Sequence, residues 1–167
     1  MRNILLPTDL SLPSLYPIHE IGRTSAGHKC RVYVVHTLAM PTGITELLFL
    51  KKPFHQVPAA FTGALDILRR RYSGTIATIQ FDFVYGNTGH YLRQYMEARE
   101  IQSVYMLKDH AYDLPLLQST DCRVALWHCD VPITRTAATA DMGFGTLTSL
   151  LYHEKNMPDV VKKEYSL

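Results

Sequence analysis

Short apolar runs, each stopped by turn chemistry, alternate five times with stretches of helical period along this chain. Asn3 to Pro7 is the first such run. It ends in Pro7-Thr8-Asp9 and has the character of a strand buried on both faces. A helical pattern follows through Leu15, Ile18, Ile21 and Ala26, closed by Gly27. With Ser14 as N-cap, Pro17 falls at the third helical position, where a missing N–H costs nothing. Arg31 to Thr37 is rich in β-branched and aromatic residues and is the second expected strand. Residues 38 to 57, with a brief apolar piece from Ile44 to Leu50, form a long connection in which one short helix is expected. Ala59 to Tyr72 carries Phe61, Leu65 and Leu68 on one helical stripe, with Gly74 as its stop. Thr75 to Tyr85 alternates as a third strand, broken by Gly86. A helix is expected from Thr88 to Arg99, a fourth strand over Ser103 to Leu107, a short helix over Asp113 to Ser119, and a fifth strand over Arg123 to His128. Alternation of this kind implies an open parallel α/β sheet with helices on both faces.

The chain has 167 residues, 47% of them apolar and 19% charged, which fits one globular domain plus an appendage. The division expected is a domain over residues 1–135 and a C-terminal extension over 136–167. In that extension Phe144, Leu147, Leu150 and Leu151 lie at helical spacing behind Thr139 or Asp141 as a cap. A formal charge of +2 gives no ground for nucleic-acid or membrane partners, and Arg69-Arg70-Arg71 is expected as a solvated helix face. Cys30, Cys122 and Cys129 form no CxxC pair. Cys122 and Cys129 would flank the fifth strand, too far apart to bond to each other. A reducing cytoplasm suits this odd count. The opening run Ile4-Leu5-Leu6 is stopped at once by Pro7 and gives no export signal, and no stretch is long enough to cross a bilayer.

In open parallel sheets the ligand crevice lies beyond the carboxyl ends of the strands, where the winding reverses. The residues at those ends are Asp9, His36, Gly86, Lys108 and His128. The eight histidines lack ligand spacing, so no metal is expected. There is no GxSxG, P-loop or GxGxxG, and so no motif-based ground for catalytic residues.

Several segments resemble universal stress proteins. The opening NILLPTDLS is similar to their first strand, which ends in an Asp followed two residues later by Ser. RVYVVHTL resembles their second strand, VYGNTGHYLRQYMEAREIQSVYML their third strand end through the fourth strand, and TDCRVALWHC the segment ending with their last strand. The resemblance covers roughly residues 2 to 130. It implies a Rossmann-like sheet in the order 3-2-1-4-5 and a dimer paired through the fifth strands. In the nucleotide-binding members, it implies further, the first strand's Asp and a loop of the form G-x-x-G, about nine residues, then G and Ser or Thr, hold ATP. The glycines of that loop let backbone N–H groups approach phosphate. Here the corresponding stretch, Lys108-Asp109-His110-Ala111-Tyr112-Asp113, has no glycine, and its two carboxylates would repel a triphosphate. Asp9 and Gly86 are retained, and Asp9 could cap a turn or pair with Lys108.

The expectation is therefore a non-catalytic regulatory or binding module of the stress-protein kind, cytoplasmic and homodimeric, without ATP or another cofactor. The expected interface is Val124, Leu126 and Trp127 on the edge strand, because a bulky edge left open invites aggregation. The alternative is a nucleotide-binding switch or ATP-hydrolysing protein using Asp9, Gly86 and Lys108, with His36 on the same rim and Lys108 meeting phosphate as a point charge. A third reading gives the C-terminal helix a protein partner.

Overall fold

The computed structural model describes residues 1–25, 27–43, 53–86 and 88–137. In the 38–57 connection, where one short helix is expected, the described part holds a single 3-10 turn, Phe54–Gln56; Ile44 to Leu50, the helix of the C-terminal extension, and Ala26 lie outside the described residues. Six strands and four α-helices occupy the rest: β1 (Arg2–Pro7), α1 (Pro17–Thr24), β2 (Cys30–Leu38), α2 (Ala59–Arg71), β3 (Ile76–Tyr85), α3 (Gly89–Ala98), β4 (Ser103–Leu107), β5 (Ser119–Thr120), α4 (Arg123–Leu126) and β6 (Ile133–Thr136). The main path of the sheet runs β3-β2-β1-β4-β6, with every neighbouring pair parallel. This is the expected 3-2-1-4-5 winding, completed by a strand later in the chain than expected.

Successive residues of a strand point to opposite faces, and here both faces are covered. Ile4, Leu6, Val32 and Val34 pack with Ile18 and Ile21 of α1 and Phe61, Leu65 and Leu68 of α2. Leu5, Tyr33, Val35 and Val104 pack on the other face with Leu92 and Met96 of α3 and Leu126 of α4. The continuous apolar runs of β1 and β2 are what a sheet buried on both sides needs.

Two sequence expectations fail in the second half of the chain. Arg123 to His128 is not a strand: its first four residues form the short helix α4, and Val124 and Trp127 point outward, 70% and 52% exposed, while Leu126 is wholly buried. The Asp121 carboxylate starts this turn by accepting the Arg123 amide at 2.9 Å and pairing with its guanidinium. The edge strand is instead β6, whose three β-branched residues continue from Pro132. Cys122 and Cys129 therefore flank a helix, and both are buried, free thiols. Asp113 to Ser119 is not a helix either, because Pro115 disfavours helical backbone at Leu114 and cannot donate within a helix. Only Leu116 of its leucines packs on the core, whereas Leu114 and Leu117 are exposed.

The start of α1 also differs in detail. A single 3-10 turn, Pro13–Leu15, precedes it, and Pro17 stands at its first position, where proline is preferred. Ser14 does not cap this helix; its hydroxyl donates to the Ser11 carbonyl at 2.7 Å. On the inner side of α1, a Cβ at Gly22 would fall inside the ring of Tyr72, whose hydroxyl bonds the Nδ1 of buried His19. Gly22→Ala is expected to displace that ring, strip His19 of its partner and cost about 2 kcal/mol. Urea denaturation checks this; an unchanged midpoint would contradict the close approach.

Candidate functional site

The winding runs from β1 outward through β2 to β3 and then returns to β4 on the other side of β1, so the switch point lies between β1 and β4. Three observations show that the chain's own segment after β4 crosses this point. The Tyr112 hydroxyl donates to the Pro7 carbonyl at 2.8 Å, at the last residue of β1. His110 Nε2 donates to Asp9 Oδ2 at 2.9 Å, and the Asp113 amide donates to the same oxygen at 3.1 Å. Beyond them, β5 pairs antiparallel with Thr37 and Leu38 of β2. Because β3 holds the other edge of β2 at those two residues, β5 lies on the β1 side. It continues the sheet where β1, whose pairing stops at Pro7↔Val35, has ended.

Asp9 is the centre of this closure, at 2% exposure. Its Oδ1 accepts the amide and the hydroxyl of Ser11, and its Oδ2 accepts His110 and Asp113. Burial alone would push its carboxyl up. The bonds from the Ser11 hydroxyl, the Asp113 amide and the Ser11 amide, with the His110 charge, outweigh burial and leave it below the ordinary carboxylate value. Of the two roles open to Asp9, it takes the first, capping a turn through the Ser11 amide, and its charged partner is His110 rather than Lys108.

His36 locks the far end of the segment. It is fully buried, and burial pushes its imidazole below the ordinary value against the opposing effects of the Thr8 carbonyl and Asp9. Nδ1 lies 2.8 Å from the Thr8 carbonyl, which can only accept, so the proton sits there. Nε2 then accepts the Ser119 hydroxyl at 2.8 Å. The Ser119 oxygen in turn accepts the Leu116 amide at 3.0 Å, which ties off the loop.

Ser11, His110 and Asp9 have the composition of a hydrolytic triad but not its connectivity. The same Nε2 meets both Asp9, at 2.9 Å, and the Ser11 oxygen, at 3.4 Å, so no second ring nitrogen links acid to hydroxyl. The Ser11 hydroxyl donates to Asp9 itself.

Of the four expected ligand residues, Asp9 and His36 are brought together at the end of β1. Gly86 closes β3, two strands away, with its amide on the Leu38 carbonyl at 2.8 Å. Its φ of +92° is one that glycine adopts without strain, and Tyr91 covers the space a side chain would need. Lys108 stands beyond the crossing segment, lining a cavity of about 320 Å³ with Arg123, Trp127 and Arg135. Arg123 lies over the Tyr112 ring, 4.0 Å from its centre, and Arg135 over Trp127 at 4.4 Å. Sequence reasoning missed His110, Tyr112 and Ser119. Their signal was the replacement of expected glycines by side chains able to bond the end of β1.

No protein-family model matches the sequence, and no curated protein matches it. Solved structures do match its fold. The hypothetical protein MJ0577 aligns with a TM-score of 0.53 at 12% identity, over 84% of this chain and 98% of that one. Universal stress protein UspA from Lactobacillus plantarum aligns at 0.51 with 14% identity, over 80% and 96% of the two chains. The hypothetical protein PH0823 aligns at 0.51 with 14% identity, over 84% and 99%. The chain thus has the α/β fold of universal stress proteins, with the carboxyl end of its first strand covered by its own loop. Among the described residues no helix is long and apolar enough to cross a membrane.

Proposed function

We propose that this chain is a divergent universal stress protein that acts as a non-catalytic, homodimeric regulatory or binding module in the cytoplasm, in a stress response, and holds no ATP in its crevice. The observation that carries this reading is the saturation of Asp9 by Ser11, His110 and Asp113. In the nucleotide-binding members, the resemblance implies, the first strand's Asp and the loop after the fourth strand hold the nucleotide together. Here the two are engaged with each other, and an entering nucleotide would have to break those buried bonds before making its own. Support for the dimer comes from the β6 edge, which no other strand pairs among the described residues. The exposed Val124 and Trp127 lie close by, with Arg135 of β6 stacked on Trp127.

A second reading, a nucleotide-dependent switch, is favoured by one feature: the cavity lined by Lys108, Trp127 and Arg135 on the open side of the loop. Calorimetric titration with ATP and Mg²⁺, after a check for co-purified nucleotide, separates the two. The proposed function expects no heat up to about 1 mM ligand, where binding free energy is only about 4 kcal/mol. A dissociation constant of about 10 μM, close to 7 kcal/mol, overturns it. Loss of that binding in Lys108→Ala would then assign the phosphate to the open side.

A further inference from the structure

From the opposite end of the sheet we infer that this chain carries an anion site fitted to a compact polyvalent anion, an oligophosphate or a phosphate monoester. A cavity of about 620 Å³ opens there, where β1 and β2 begin and α1 ends. Its wall includes Arg2, His28 and Lys29, with Ser25 and Gln102 between them, and no carboxylate of the described residues. Glu97, in the last turn of α3, and Glu100, just after it, face a separate cavity with Arg93 and Asp130.

The donors are available for a ligand. Gln102 accepts the Asn3 amide through Oε1, at 3.4 Å, which leaves its NH₂ group as the donating side of the amide. Arg2 lies over the Tyr105 ring, 5.8 Å from its centre, a contact that uses the guanidinium face and leaves its N–H edge open. Lys29 and His28 are exposed beside it.

Helix geometry does not explain all of these charges. Arg23, the run Arg69 to Arg71, and Arg99 stand at the ends of α1, α2 and α3, where cations offset the helix dipole. Arg2 and Arg31 stand instead at the starts of β1 and β2, while Lys29, just before β2, shares the cavity wall with Thr24 and Ser25 at the end of α1. The volume is within the range of small-ligand sites. A phosphate group presents several oxygens to such a ring of donors, and each charge-assisted bond is stronger than a neutral one. The site is independent of the closed crevice, which lies at the other end of the strands.

Calorimetric titration of the full chain with sodium tripolyphosphate tests this. One saturable site is expected, with Arg2→Ala and Lys29→Ala each weakening it roughly tenfold, the value of one charge-assisted bond. Both residues are exposed, so neither variant threatens the fold. Lys108→Ala, at the other end, should bind as the unaltered chain does. Absence of saturable binding, binding indifferent to Arg2→Ala and Lys29→Ala, or binding lost in Lys108→Ala would each overturn the inference.

Discussion

Asp9→Ala should lower the unfolding free energy by about 3 kcal/mol, and the melting temperature by about 9 °C for a chain of this size. The carboxylate is buried and accepts four hydrogen bonds, from Ser11 twice, His110 and Asp113. Alanine removes the acceptor and leaves the donors at the end of β1 without their partner. The effect depends on pH in a defined direction. The folded carboxyl titrates below its ordinary value, because hydrogen bonds and the His110 charge outweigh burial. Its stabilisation is therefore fully present above about pH 4 and lost as pH falls through the lower folded value. Urea midpoints at pH 7 and near pH 2 check both parts. The gap between the original chain and Asp9→Ala should be widest at neutral pH and narrow in acid. A gap under about 1 kcal/mol at pH 7 would mean that the loop is held without Asp9.

The same substitution bears on function. If the loop between β4 and β5 closes the crevice because Asp9 holds it, releasing it should raise the exchange rates of the Asp113 and Leu116 amides. The amides of Leu5 and Val34 in the core strands should remain protected. Tyr112 would remain bonded to the Pro7 carbonyl, so Asp9→Ala loosens the closure from one side only. Opening the crevice fully would require Tyr112→Ala as well.

Where the pattern of the sequence was strong, the fold could be read from it. The runs of β1 to β4 stand within one residue of their expected limits, because each is apolar or β-branched and bounded by Pro, Gly or a polar turn. The helices carrying Phe61 and Leu92 were legible for the same reason: long stripes at helical period. The segment after Leu107 was not. RVALWH has the composition of a strand, and composition dominated its reading. The spacing pointed elsewhere: Cys122, Ala125, Leu126 and Cys129 are the buried residues, and their intervals are those of one helix face. The site was legible only in part. Asp9 and His36 could be placed at the rim from strand ends alone, but what they bind is decided by a loop that follows no periodicity. The missing glycines set this loop apart from the one the resemblance implies; only three-dimensional geometry shows that His110, Tyr112 and Ser119 close over the space.

Leu126→Glu should be the most damaging of the substitutions considered, at more than about 4 kcal/mol, because it buries an unpaired carboxylate in the core beside Leu92 and Met96. Val124→Glu and Trp127→Glu should cost under about 1 kcal/mol, since both side chains face outward from α4. This contrast separates the two backbone readings. On a strand, Val124 and Leu126 would share a face and respond alike, with Trp127 opposed to them. On a helix, Val124 and Trp127, three residues apart, share the outer face and Leu126 stands apart from both. Equal losses for Val124→Glu and Leu126→Glu in urea denaturation would contradict the helix. The outward pair also bears on the proposed dimer. A charge at either position, folded as stably as the original, should shift sedimentation from dimer toward monomer if the surface beside β6 is where two copies meet, because an unpaired carboxylate at an interface core costs several kcal/mol. A dimer that persists through Val124→Glu and Trp127→Glu together would move the interface away from α4, and a monomeric unaltered chain would remove it. Leu126→Glu cannot serve in that experiment, since its loss of association would follow from loss of the fold.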